Sequence, residues 1–218
     1  MITHHPEETL LLDYATGALP EAVALAIVTH AALCSPCARQ IHQFEAVGGG
    51  LLAAETPVDC DDGALARILM RLDGADAESA AIASPWDAET SSALPSPLRR
   101  YMRQSLHQLP WKRVGRLFEQ YRLPLAGTTF RAALLRLDAG CRVPKHSHRG
   151  QEFSLVLTGG YRDGDHQFGR GDFAAKDVSD THQPIVDADG PCLSLVVQDA
   201  PIKLSGPLGL LLNRFLRL

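Results

Sequence analysis

The feature that most constrains this chain is a short segment near the N-terminus with the sequence HAALCSPC. If His30 and Cys34 lie on a helix, they share a face one turn apart, because four residues nearly complete a turn of 3.6. Ser35 and Pro36 are typical of an N-cap and a first helical residue, which places Cys37 across a joint between two helices. The segment therefore predicts three metal ligands at a helix corner.

A tetrahedral zinc site needs a fourth ligand, and His5 is the best candidate. It stands just before Pro6, which begins another predicted helix, and His4 is the neighbouring alternative. Val23 and Ile27 lie on the same helix face as His30 and Cys34, and this face is predicted to be buried. The site is therefore in line with a buried helix face. We expect a closed, structural zinc site. A cysteine pair beside a core histidine, or a redox dithiol, are the alternatives.

Four helices are predicted around this metal, in an N-terminal domain spanning residues 1–85. The first covers residues 6–15, the second begins at Pro20 and reaches Cys34, and the third runs from Pro36 to the break at glycines 48–50. A fourth pattern has its apolar residues at 65, 68, 69 and 72 and ends near Gly74. Its apolar face either binds a partner helix or packs back on the first three helices.

The composition then changes, which indicates a second domain. Residues 86–98 are predicted as a linker, within a stretch rich in Ala, Ser, Asp and Pro, and residues 99–218 as a β domain. Its predicted strands cover residues 130–137, 152–157, 161–168, 172–174 and 193–197. Short strands at this spacing predict an antiparallel jelly-roll barrel, so the fold class is a two-domain α+β protein. Residues 208–218 are a final strand or a docking helix.

The β half carries a second set of possible metal ligands. His146 and His148 face the same side of a strand, since side chains alternate, and Glu152 is expected to join them further along that strand. A later strand can bring His182 opposite. Three imidazoles and a carboxylate suit Zn, Fe, Mn, Ni or Cu, so the ligands do not name the metal. Such a barrel can bind or transform a small molecule, or hold a metal only for its shape.

The charge and cysteine content of the chain argue against several classes of protein. The net charge is −4 and the pI about 6.1, and no run of Lys and Arg appears, so we expect no direct contact with nucleic acid. Cys60, Cys141 and Cys192 form an odd remainder, which argues against a disulfide framework and favours a reducing compartment. Without a signal peptide or an apolar run of about 18 residues, the protein is expected in the cytoplasm, away from membranes.

Two family patterns emerge from these residues. The spacing Gly140-x5-His-x-His-x3-Glu-x6-Gly159 matches the first cupin motif at every defined position, and His182 takes the place of the histidine in the second motif. That second motif is degenerate, because residues 171–173 lack the usual Pro-x-Gly. The ligands at 5, 30, 34 and 37, with the sequence YATGALPE at residues 14–21, resemble a zinc-binding anti-sigma domain. Their order along the chain is similar to that of the ChrR-type anti-sigma factors.

The resemblance implies a function for both halves. The helices would bind an extracytoplasmic-function (group IV) sigma factor in a 1:1 complex and cover the surfaces it needs for core RNA polymerase. The cupin domain would take part in an oxidative stress response to singlet oxygen or an organic hydroperoxide, without being an enzyme. Zn²⁺ is expected in the helical domain, and Zn²⁺ or another divalent transition metal in the cupin.

Two other classes of protein compete with this interpretation. In one, His146, His148, Glu152 and His182 hold Fe or Mn for dioxygenase-like chemistry, and the zinc domain is accessory. In the other, the zinc domain contacts operator DNA, but its acidic balance and lack of a basic recognition helix argue against that.

Overall fold

A computed structural model describes residues 1–75, 86–115, 118–126 and 129–204. Within these ranges the helices precede the strands, as predicted. The α-helices are α1 (Glu8–Ala15), α2 (Glu21–Ala31), α3 (Ser35–Ala54), α4 (Ala64–Ala75), α5 (Ala88–Ala93) and α6 (Ser96–Arg99), and a 3₁₀ turn covers Leu106–Gln108. The strands are β1 (Lys112–Val114), β2 (Phe118–Arg122), β3 (Arg131–Leu137), β4 (His146–Ser147), β5 (Glu152–Thr158), β6 (Gly160–Asp163), β7 (His166–Gly169), β8 (Phe173–Lys176), β9 (Thr181–His182), β10 (Ile185–Val186), β11 (Cys192–Gln198) and β12 (Lys203–Leu204).

The first three helices form where the apolar periodicity predicts them, with one difference. Gly17 ends α1 with a φ of +73°, a conformation that suits glycine. The glycines at 48–50 were expected to end α3, but the helix continues through them to Ala54. Glycine lowers helix stability by only about 1 kcal/mol per residue relative to alanine, so it ends a helix only where the backbone takes a left-handed turn.

Helix α4 does not pack back on the first three helices. Its apolar residues are about half to two-thirds exposed: Leu65, Ile68, Leu69 and Leu72. No other described element covers this face, so of the two possibilities left by the sequence, the structure agrees with an apolar face that is available to a partner helix.

Residues 86–98 are more ordered than the predicted linker. Asp87 caps α5 by accepting a hydrogen bond from the Thr90 amide at 2.7 Å. Leu94 and Leu98 are fully buried, and α6 packs on α2. Apolar side chains spaced four apart were enough to fold this segment onto the helical half. The domain boundaries at 85 and 98 remain a prediction.

The β half consists of antiparallel sheets, as predicted. The largest has six strands in the order β1-β2-β3-β11-β5-β8, and two three-stranded sheets have the orders β10-β6-β7 and β12-β4-β9. The strand predicted at 161–168 is instead the hairpin β6–β7, because Gly164 turns the chain with a φ of +60°. Residues 208–218 lie outside the described residues.

The helical half packs directly on the six-stranded sheet. Helix α2 contacts β5 and β11, and one continuous core runs from Ile27 through Leu98 to Leu155 and Leu195, all fully buried. Among the described helices, none has the length and apolar character needed to span a membrane.

Candidate metal centres

The four predicted ligands of the helical half meet at one point. One ligand atom each from His5, His30, Cys34 and Cys37 lies within 4.8 Å of the others. Cys37 Sγ is 3.3 Å from His30 Nε2 and 3.4 Å from His5 Nδ1, and Cys34 Sγ is 3.4 Å from the same His5 nitrogen. Such edges fit a tetrahedral ion with metal–sulfur bonds of about 2.3 Å and metal–nitrogen bonds of about 2.0–2.1 Å.

Both cysteines lie at the N-terminal end of helix α3. Cys34 is the N-cap of α3, a place predicted for Ser35, and Cys37 lies in the first turn. The positive end of the helix dipole stabilises negative charge there. Burial, and then the neighbouring Cys34, raise the pKa of Cys37, so the metal-free cysteine keeps its proton until a cation replaces it.

The surroundings of His30 favour its neutral form, which is the form that binds a metal. It is completely buried, and burial lowers its pKa to about 4. Its Nδ1 lies 2.8 Å from the carbonyl oxygen of Gly171 and donates a hydrogen bond to it, which leaves the Nε2 lone pair directed at the cluster. The alternative ligand His4 is not in the cluster, because its ring stacks on Phe168 at a centroid distance of 4.2 Å.

The predicted ligands of the β half form a second cluster. His146, His148, Glu152 and His182 each place a ligand atom within 4.8 Å of the others. His182 Nε2 is 2.9 Å from His146 Nε2 and 3.0 Å from His148 Nε2. The expectation that the first three share one strand is wrong, because β4 ends at residue 147 and β5 begins at 152. His182 pairs directly with His146 across β9 and β4.

Hydrogen bonds on the far side of the His146 and His182 rings support a cation in this cluster. His146 Nδ1 donates to the carbonyl of Pro144 at 2.9 Å, and His182 Nδ1 donates to the Asp163 carboxylate at 2.8 Å. In neutral rings both Nε2 atoms then carry lone pairs that point at each other across 2.9 Å. A cation bound between them would remove that repulsion, and the His₃Glu set suits a divalent transition metal.

Burial sets the charge state of the barrel cluster. It lowers the pKa of His146 to about 4 and also lowers that of His148, so both rings are neutral near pH 7. Burial raises the pKa of Glu152 to about 7, and Lys176 opposes this. A bound divalent cation would favour the carboxylate form of Glu152.

Sequence reasoning missed the outer partners of both clusters. Asp163 Oδ2 joins His182 to Lys176, whose Nζ lies 3.2 Å away. Burial raises the pKa of Asp163, but its bonds to His182 and Lys176 outweigh this and lower it. An aspartate before a glycine indicates a turn, and no pattern in the sequence assigns it to a histidine 19 residues away.

The remaining histidines and cysteines lie outside the clusters. His107 Nδ1 is hydrogen-bonded to the Asp87 carboxylate at the surface, and His166 packs edge-on against His4. Cys60 is exposed and Cys192 is buried, and neither forms a disulfide in the described part of the chain. Cys192 lines an apolar cavity inside the barrel that also contacts His146, Glu152 and His182.

The fold and the two clusters define a class of protein, a small helical domain with a His/Cys cluster that is suited to a metal, packed on a cupin-like barrel. Residues 100–200 match the family described as the ChrR Cupin-like domain. The anti-sigma-E factor ChrR of Cereibacter sphaeroides is 35% identical over 218 residues, which is 100% of this chain and 99% of ChrR. The crystal structure of Rhodobacter sphaeroides SigE in complex with the anti-sigma ChrR matches 91% of this chain and 100% of that chain, with 34% identity and a TM-score of 0.78. The chain belongs to the family of ChrR-type anti-sigma factors.

Proposed function

We propose that this protein is an anti-sigma factor that sequesters an extracytoplasmic-function (group IV) sigma factor in a 1:1 complex. Similarity to ChrR over the whole chain supports this proposal, and so does the crystal structure in which ChrR is bound to SigE. The same similarity favours a regulatory protein over a cupin metalloenzyme.

The observation that carries the proposal is an apolar surface with no partner in the described chain. The C-terminal half of α3 exposes Val47, Leu51 and Leu52, and α4 exposes a face of four apolar residues. An amphipathic helix of this kind binds in an apolar groove of a partner through residues spaced three and four apart. These helices would therefore cover sigma-factor surfaces that RNA polymerase also needs.

The metal of the helical half would hold the first three helices at fixed angles. His5 precedes α1, His30 ends α2 and the two cysteines begin α3, so one ion joins three elements. Zn²⁺ fits the His₂Cys₂ set, and it would stabilise the domain by closing a site that does not exist in the unfolded chain. The barrel cluster would hold Zn²⁺ or another divalent transition metal.

Release of the sigma factor would follow an oxidative signal such as singlet oxygen or an organic hydroperoxide. The barrel cavity beside the His₃Glu cluster is where a small oxidant would enter. Oxidation of a thiolate ligand would also remove it from the zinc. Either event must weaken sigma binding by several kcal/mol to shift the population toward the free sigma factor. Since sigma factors act with RNA polymerase, we place the complex in the cytoplasm.

The proposal is tested by co-purifying the tagged full-length chain from its native cell and measuring bound protein and metal in one sample. We expect one sigma factor per chain and metal in both clusters. Cys37→Ser should lose the metal of the helical half and reduce sigma binding by at least about tenfold, since a structural zinc contributes about 10 kcal/mol or more to the fold that holds it. Cys60→Ser, at an exposed cysteine outside both clusters, is the matched control. Equal sigma binding by Cys37→Ser and the parent would contradict a role for the metal.

A further inference from the structure

The outer partner of His30 comes from the other half of the protein. The Nδ1 atom of His30 donates to the carbonyl oxygen of Gly171, 141 positions later in the chain, at 2.8 Å. This bond selects the tautomer in which Nε2 faces the cluster. A backbone carbonyl of the barrel half therefore orients a ligand of the helical half.

Asp172, the next residue, holds the backbone that leads into His5. Its Oδ1 accepts hydrogen bonds from the amides of Thr3 at 2.7 Å and His4 at 2.9 Å. The amide of Phe173 donates to the His4 carbonyl at 3.0 Å, so residues 3 and 4 are bound on both sides. Asp172 is 4% exposed, and its bonds are protected from water.

The same turn is shaped to receive the N-terminal segment. Gly171 has a φ of +89°, and a Cβ there would lie 2.5 Å from the Cδ1 atom of Ile2. Asp172 Oδ2 accepts from the Gly169 amide at 2.8 Å and closes the turn. The turn thus combines a close approach to Ile2, a carbonyl that binds the ligand His30, and a carboxylate that binds the two amides preceding His5 in the chain.

We propose that residues 169–173 of the barrel half are the outer shell of the metal site in the helical half, with Asp172 as the positioning residue for His5. The inference rests on the proposed metal site of His5, His30, Cys34 and Cys37. It implies that metal retention by the helices depends on the barrel half being docked.

The strand that follows this turn also reaches the second cluster. Strand β8 begins at Phe173, beside His4, and ends at Lys176, whose Nζ lies 3.2 Å from the Asp163 carboxylate that holds His182. One four-residue strand thus contacts the outer shells of both metal sites. A shift of β8 caused by a change at the barrel cluster would act directly on the turn that holds residues 3 and 4, which lead into His5.

The test uses cobalt in place of zinc in the full-length protein. Only the cluster with cysteines gives a thiolate-to-cobalt charge-transfer band, so this band follows the helical site without interference from the His₃Glu site. A chelator is added and the loss of the band is timed. We expect Asp172→Ala to lose the band on the order of tenfold faster than the parent, in line with other outer-shell substitutions. Asp165→Ala, at an exposed aspartate in the β6–β7 turn, should match the parent.

A second pair of variants tests the hydrogen bond from the Thr3 amide to Asp172 and leaves residues 169–173 of the turn unchanged. Thr3→Pro deletes the amide that donates to Asp172, whereas Thr3→Ala keeps that amide and loses only the hydroxyl. We expect faster cobalt loss in Thr3→Pro and the parental rate in Thr3→Ala. Parental rates in both Asp172→Ala and Thr3→Pro would overturn the inference, and so would a change in Asp172→Ala alone, since that effect would come from the turn. A parent without the charge-transfer band would instead overturn the proposed metal site itself.

Discussion

At the scale of single residues, burial of imidazole rings has two consequences. His30 and His146 are held neutral because burial lowers both pKa values to about 4, which suits metal binding. The same burial makes the metal-free fold sensitive to acid. A ring that is neutral in the folded protein takes up a proton as soon as the chain unfolds below about pH 6.5.

We therefore expect the metal-free protein to lose stability as the pH falls from about 6.5 towards 4. In this range the unfolded chain binds protons at His30 and His146 that the folded chain does not bind. Glu152 acts in the opposite direction. Its pKa of about 7 means that, as the pH falls, the folded chain binds a proton at Glu152 before the unfolded chain does. The effect of the two histidines is larger than that of one carboxyl. Urea unfolding at several pH values after metal removal measures this.

The matched variants for this experiment are His30→Gln and His42→Gln. The first removes a buried titrating ring and should flatten the dependence on pH, whereas the second changes an exposed histidine and should leave it as in the parent. A free energy of unfolding that is constant from pH 6.5 to 4 would contradict the prediction.

At the scale of elements, α4 differs from the helices before it. Helix α2 buries most of its residues, whereas α4 is strongly amphipathic and exposes its apolar face. Such a face is unfavourable in water and favours association with a partner. This makes α4 the element most directly suited to sigma binding.

Leu69→Asp should weaken binding of the sigma factor by roughly 10- to 100-fold, because burying a leucine side chain contributes about 1.5–3 kcal/mol. It should leave the melting temperature of the free protein nearly unchanged, since Leu69 is already 49% exposed. Met70→Asp introduces the same charge at an exposed position about 100° around the helix from Leu69, outside the face of residues 65, 68, 69 and 72, and is the control. Titration calorimetry with the purified sigma factor gives the affinities, and equal affinities for the two variants would exclude this face from the interface.

At the scale of the whole molecule, the two halves share one core. Leu98, in the segment between them, is fully buried in the same cluster as Ile27 of α2 and Leu195 of β11. The carboxylate of Asp172 and the carbonyl of Gly171 add polar bonds across this contact. Helical and barrel halves are thus expected to unfold together.

Leu98→Ala should lower the stability of both halves by about 2–5 kcal/mol, the usual cost of a leucine cavity. The melting temperature of the metal-loaded protein should fall by roughly 5–15 °C in one transition. Leu12→Ala, at a leucine that is 43% exposed on α1, should have a much smaller effect. Two separate transitions, with only one of them shifted, would show that the halves unfold independently.

Local patterns were enough to predict helices α1 to α4, the longest strands and the two groups of candidate ligands, but not α5 and α6, which lie in the predicted linker. The ligands are recognisable because their spacing follows helix and strand periodicity and because few other residue types bind transition metals. Short strands such as β10 and β12 were missed, since two residues carry no periodicity. The glycines in α3 misled the prediction because a glycine ends a helix only in a left-handed conformation.

The amino-acid sequence by itself determined the order of the two halves, the candidate metal ligands and the resemblance to the ChrR-type family, because these depend on residue identity and short-range spacing. Only the tertiary structure decided how the halves meet. The bonds from Gly171 and Asp172 to His30, His4 and Thr3 join residues more than 140 positions apart, and no local pattern encodes which distant carbonyl a buried ring will meet. That placement follows from packing of α2 and the N-terminal segment on the barrel.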